Sequence, residues 1–256
     1  MLPLGERMFF SYSPHATGPH VVLLHGWAGS HRQWDGSFIP GSPNLVEELN
    51  RDFAVIAPDW RGHGQSPWST DIQSFGRNLL SDLLHVLEQT SNPQVHLVAY
   101  SMGAIPALAF ASRHPDRVAS LILGDSLGHT DQIPNSRPAF RAEFLSSGGS
   151  MGALLAAEGS LPEEAVPMVD AMFAGLPNRE SLIAWAQGCR ELEVPLGEWP
   201  TCPVHGIGAE FGETDEAGQL PFTSFLRVPG STHNDLFMRP EFVERVREIL
   251  LTGGKG

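Results

Sequence analysis

Short apolar runs alternate with stretches of helical periodicity along most of the chain, as in a parallel sheet whose strands are joined by helices. Val21-Val22-Leu23-Leu24 ends at His25-Gly26, and Phe53-Ala54-Val55-Ile56-Ala57 stops at Pro58-Asp59. Val95-His96-Leu97-Val98-Ala99 is a third run, and Ala119-Ser120-Leu121-Ile122-Leu123 a fourth, ending at Gly124-Asp125. Such runs, closed by turn residues, predict strands buried on both faces. Weaker strands are predicted over 204–207 and 225–228. Between them, Leu79, Leu80, Leu83, Leu84, Val86 and Leu87 recur at helical spacing and predict a helix over 78–89. Residues 103–113 are small and apolar, as a helix packed on a sheet must be. Residues 240–251 are amphipathic, with Pro240 suited to a first helical turn.

From Gly128 to Pro200 the pattern changes. Helical pieces over 137–145, 151–158, 163–173 and 179–192 follow one another with no good strand. The expected organisation is an α/β core built from residues 1–127 and 201–256, interrupted by a helical cap over 128–200.

Composition narrows the function classes. A balance of 16 Lys+Arg against 29 Asp+Glu gives a net charge of −13, which argues against binding nucleic acid or an anionic membrane surface. Two cysteines, Cys189 and Cys202, exclude a disulfide framework and a Cys-rich zinc site. No His/Glu cluster has metal-ligand spacing and no phosphate-cradling glycine fingerprint occurs, so neither metal nor cofactor is expected. The N-terminus lacks the apolar core of a signal peptide, and no uncharged apolar stretch reaches the ~18–20 residues of a membrane span. The expectation is a cytoplasmic protein, monomer or homodimer, acting on a small apolar or aromatic molecule.

The candidate chemistry lies at strand ends. Ala99-Tyr100-Ser101-Met102-Gly103 joins the third strand to a helix, with small residues two before and two after the serine. A turn sharp enough to project one side chain crowds its neighbours, so those positions must be small. The serine then stands at a helix N-terminus, where free N–H groups favour a developing oxyanion. A serine hydroxyl needs a base, and the base an orienting acid. His233, in Pro229-Gly230-Ser231-Thr232-His233 after the last strand, is the candidate base. Asp125, directly after the fourth strand, is the leading acid, with Glu210 and Asp215 as rivals. His25-Gly26-Trp27 follows the first strand, and His25 itself reads as structural. Trp185, Trp34 and Phe144 are the candidate substrate contacts.

Together, HGWAGS at 25–30, APDWRGHGQS at 57–66, AYSMGA at 99–104 and PGSTH at 229–233 resemble the α/β-hydrolase superfamily. The resemblance implies a mostly parallel central sheet flanked by helices with a helical cap insertion, and a Ser-His-Asp triad of Ser101, His233 and Asp125. In that superfamily a loop at the place of His25-Gly26-Trp27 supplies a second oxyanion N–H, so the resemblance also implies Trp27 and Met102 as the donors. A narrower resemblance is to the cofactor-independent 3-hydroxy-4-oxoquinoline 2,4-dioxygenases. It rests on Gly26-Trp27, His31-Arg32, Pro58 to Gly64, Asp125 and the run Trp185 to Glu193. In that branch the histidine takes a substrate hydroxyl proton and the resulting anion reacts with dioxygen, the serine only holding substrate. Met102 departs from that branch and matches the ester hydrolases. The leading expectation is therefore a serine hydrolase cleaving an ester, lactone or similar acyl bond; the alternative is ring-cleaving dioxygenation with His233 and Asp125 as base.

Overall fold

The computed structural model describes residues 8–14, 18–37, 42–88, 94–132, 136–158, 162–173 and 179–253. Seven strands form one sheet: β1 (Phe10–Ser13), β2 (His20–Leu24), β3 (Ala54–Pro58), β4 (Val95–Tyr100), β5 (Val118–Gly124), β6 (Val204–Phe211) and β7 (Ser224–Thr232). Their order is β1-β3-β2-β4-β5-β6-β7. All neighbours are parallel except β1, which pairs antiparallel with β3 at one edge. The four buried runs and the two weaker ones read from the sequence are the six parallel strands. β1 was not among the predicted elements, because its Phe-Ser-Tyr-Ser alternation is half polar and it covers only an edge.

Alternation along each strand splits the core into two layers. Val22, Leu24, Leu97, Ala99, Leu121 and Leu123 face α2 (Arg77–Leu87) and α3 (Ala104–Arg113). Val21, Leu23, Val55, Val98 and Ile122 face α1 (Leu45–Leu49) and α8 (Pro240–Leu251). Each β-α connection returns the chain to the same end of the sheet, so the loops after β2, β4, β5, β6 and β7 gather at the carboxyl ends of the strands. In open α/β sheets that edge is where ligands bind.

Between β5 and β6 the chain forms α4 (Arg137–Ser146), α5 (Met151–Ala157), α6 (Val166–Phe173) and α7 (Arg179–Cys189). A parallel bridge between Thr130 and Val194 joins the two ends of this insertion, reinforced by the Val194 N–H donating to the His129 carbonyl at 2.9 Å. Among the described residues, no helix is long and apolar enough to cross a membrane.

Candidate active site

The turn after β4 shows why its sequence is small around the serine. Ser101 has φ of 52°, in the left-handed region that costs an L residue strain. A Cβ on Gly103 would sit 2.2 Å from the His25 carbonyl oxygen, so no larger residue fits two places after the serine. A Cβ on Gly26 would lie 3.1 Å from that of Ser101, so the loop after β2 is packed directly on the elbow. Ala28 (φ 61°) and Asp125 (φ 42°) are the other described non-glycine residues in this conformation, and both follow strands at the same edge. Backbone strain thus collects around one point, a distribution typical of functional sites.

Ser101, His233 and Asp125 are brought together. Ser101 Oγ is 2.8 Å from His233 Nε2, and His233 Nδ1 is 2.6 Å from Asp125 Oδ2. A carboxylate only accepts, so Nδ1 carries the proton and Nε2 is left to accept from the serine hydroxyl. Asp125 is fully buried. Its Oδ1 accepts the Ala209 N–H at 2.8 Å, and the Glu213 N–H reaches both carboxylate oxygens at 3.3 and 3.4 Å. A Cβ on Gly212 would lie 2.2 Å from Oδ1, so this turn also admits only glycine where it passes the carboxylate. The Tyr100 hydroxyl donates to the His233 carbonyl at 2.5 Å and fixes the loop that carries the imidazole. Burial, and then the charges of Asp125 and Glu213, push the Tyr100 hydroxyl well above the ordinary tyrosine range, so it stays a neutral donor.

The expected oxyanion donors, the backbone N–H groups of Trp27 and Met102, belong to the two turns that meet here: Met102 follows the serine in the elbow, and Trp27 follows Gly26, which packs on Ser101. Among the described residues neither donates to a protein acceptor. The β2 loop is held from below by His25. Its Nδ1–H donates to the Gly26 carbonyl at 2.7 Å and its Nε2 accepts the Trp60 N–H at 3.0 Å. Burial, and then the neighbouring His63, lower the His25 pKa to about 3, which keeps this tautomer neutral. From above, the Trp27 indole N–H donates to the Leu182 carbonyl of α7 at 2.9 Å, and the Arg141 guanidinium lies 5.3 Å over the ring.

The rival acids lie elsewhere. Glu210 is exposed and accepts the Gly230 N–H; Asp215 is exposed beside Arg227. The acid that the sequence reading missed is Glu213, whose Oε1 is 3.4 Å from His233 Nδ1. Two acids nearby in sequence, Glu210 and Asp215, were weighed instead; only the course of the turn after β6 separates the three.

Two expected substrate contacts are corrected. Trp34 is 1% exposed, packed in the layer with α1 and α8 and edge-on to Tyr100, so it does not line an entrance. Trp185 has no exposed surface at all; its ring meets His63 edge-on within the α2–α3 layer. Trp185 was suggested by its place at the head of the run that resembles the dioxygenase branch, and a bulky aromatic at such a place equally marks core packing. Phe144 is half-buried on α4 beside Phe140. A cavity of about 520 Å3 is lined by residues 28–32, Ser37, residues 62–65 and Leu182, with neither Ser101 nor His233 in its wall. No group of three or more metal-ligating side chains occurs among the described residues.

A family model described as the alpha/beta hydrolase fold matches residues 19–147, just over half the chain. One curated relative is a Variovorax paradoxus (strain S110) protein provisionally named a carbamate hydrolase. It is 35% identical over 108 residues, 42% of this chain and 38% of that one. The pimeloyl-[acyl-carrier protein] methyl ester esterase of Aeromonas hydrophila is 30% identical over 115 residues, 45% of this chain and 41% of that one. The chain thus spans about two fifths of the length of these relatives. A solved esterase from Thermogutta terrifontis superposes with a TM-score of 0.70 at 24% identity, covering 96% of this chain and 94% of that one. The enol-lactonase of Burkholderia xenovorans LB400 gives 0.66 at 18% identity, covering 96% and 95%.

Proposed function

Because the chain belongs to the α/β hydrolase fold family, we propose that it is a serine hydrolase cleaving an ester, lactone or similar acyl bond in a small apolar substrate. The observation that carries this reading is the continuous relay of 2.8 Å from Ser101 Oγ to His233 Nε2 and 2.6 Å from His233 Nδ1 to the buried Asp125 carboxylate. In this reading Ser101 attacks the carbonyl while His233 accepts its proton on Nε2. The imidazolium that forms keeps its Nδ1–H on Asp125, which orients it and offsets its charge. The unengaged N–H groups of Trp27 and Met102 receive the oxyanion, the step in which preorganised donors contribute most. His233 then returns the proton to the leaving group, and water repeats the sequence to release the acid. The helical insertion acts as a cap that sets substrate size, with Phe144 as its contact. The methyl ester esterase among the relatives supports acyl-bond chemistry.

The test is labelling with a fluorophosphonate beside a panel of p-nitrophenyl esters. Ser101→Ala is expected to abolish labelling and to lower ester turnover by about 10⁴-fold or more. Oxygen consumption with a 3-hydroxy-4-quinolone that survives Ser101→Ala would overturn the reading in favour of dioxygenation, where the serine is not a nucleophile.

A further inference from the structure

We propose that Glu213 is a positioning residue for His233: a second carboxylate beside the imidazole, whose pull is set by Arg137 of the helical insertion. The inference deepens the hydrolase reading and takes its meaning from it, but its test needs no turnover.

Glu213 Oε1 lies 3.4 Å from His233 Nδ1 and 2.6 Å from Arg137 Nη1, and the side chain is only 12% exposed. The Nδ1 proton is committed to Asp125 at 2.6 Å, so Glu213 acts on the ring as a nearby charge and not as its acceptor. Consistent with that, Glu213 Oε1 is buried without an aligned hydrogen bond, and its approach to Arg137 is an ion pair that lacks hydrogen-bond alignment. The backbone of the same residue points its N–H at Asp125. One residue therefore touches both the acid and the base.

The groups around the imidazole come from every neighbouring segment. Asp125 follows β5, Glu213 follows β6, and Ser101 and Tyr100 belong to the elbow and β4. Asp235, paired with Arg239, lies on the histidine's own turn. Arg137 and, at 3.9 Å, Arg141 stand behind Glu213 on α4. Of these, the carboxylate of Glu213 is the one whose neutralisation depends on the insertion. With α4 docked, Arg137 offsets it and the ring responds chiefly to Asp125. With α4 withdrawn, the second negative charge acts on the ring in full and favours the imidazolium.

The experiment is an NMR titration of the His233 ring in the full chain, its signal assigned by its loss in His233→Gln. Glu213→Gln is expected to lower the titration midpoint by about 0.5–1 pH unit, the effect of removing one partly screened charge a few ångströms away. Arg137→Gln is expected to raise it, and the double variant to follow Glu213→Gln. A Glu213→Gln midpoint within about 0.2 unit of the parent would overturn the proposal. So would shifts of the same sign in both single variants, which is what general loosening of the site would produce. Should Glu213→Gln fail to fold, Arg137→Gln decides alone: a rise supports the proposal, and no rise or a fall overturns it. Absence of fluorophosphonate labelling at Ser101 would sink the hydrolase reading and leave these midpoints standing.

Discussion

The carboxyl edge of the sheet and the helical insertion above it are held by different forces. At the sheet edge, Ser101, Asp125 and His233 issue from the ends of β4, β5 and β7 and are fixed by backbone: strained turns, glycines that nothing larger can replace, and main-chain bonds to the acid. The insertion is held by side chains, within itself and to that edge. Inside it Arg141 pairs with Glu158 at 2.8 and 2.9 Å; toward the edge Arg137 reaches Glu213, and Trp27 reaches the carbonyl of Leu182. Backbone placement costs little further entropy once the sheet has formed. Long charged side chains keep their geometry only while both partners are present. The chemistry should therefore fail when a side chain at the sheet edge is changed with the fold intact, and the insertion should fail when its ion pairs are broken.

The largest effect expected is at the acid. Asp125→Asn keeps the size of the side chain and its acceptance of the Ala209 N–H, but a neutral amide no longer balances an imidazolium. If the hydrolase reading holds, kcat/KM for an ester should fall by about 10³–10⁴-fold, with a melting temperature within a few degrees of the parent. A fall of less than about tenfold would mean that another group orients His233. Next is Glu158→Gln, which takes from the almost fully buried Arg141 guanidinium its nearer charge partner and leaves only Glu213 at 3.9 Å. Breaking a buried pair costs about 3–5 kcal/mol. The comparison requires this loss to appear first as faster hydrogen exchange in α4 and α5, with the strands still protected. Uniform loss of protection across both regions would show that they unfold as one unit.

Much of this division was legible in the chain. Four of the parallel strands announced themselves because strands buried on both faces are mostly apolar; β6 and β7 left a weaker signal, and the insertion was marked by helical spacing that persisted from 137 to 192 without a strand. Ser101 and His233 were readable because a tight turn and a chain order constrain them. Asp125 was separable from Glu210 and Asp215 only as a preference, since proximity to His233 depends on where the turn after β6 runs. Glu213 was invisible for the same reason: its approach to His233 crosses the fold, with no local pattern to betray it. Trp34 and Trp185 misled because an aromatic ring reads alike whether it faces a ligand or a core. β1 and α1 were too short, and β1 too polar, to leave a periodic signal.

The smallest effect expected tests whether the sheet edge is also held by neutral imidazoles. Burial lowers the His63 pKa to about 4, and burial with His63 nearby lowers that of His25 to about 3. In the unfolded chain both would titrate near 6.5. Between these values the unfolded state binds more protons than the folded one, so stability is present in full above pH ~6.5 and is lost as the pH falls toward the folded pKa values. From pH 7 to pH 5.5 the two groups together should lower unfolding free energy by about 2–3 kcal/mol. His63→Gln is the sharper variant, because His63 Nε2 has no hydrogen-bond partner among the described residues and the glutamine amide can still donate to the Arg61 carbonyl that His63 Nδ1 faces at 3.3 Å. Whatever it does to absolute stability, it should remove about half of the pH slope measured by urea unfolding across that window. An unchanged slope would mean that His63 does not remain neutral at the sheet edge, and that the β2 and β3 loops are held there by something other than uncharged imidazoles.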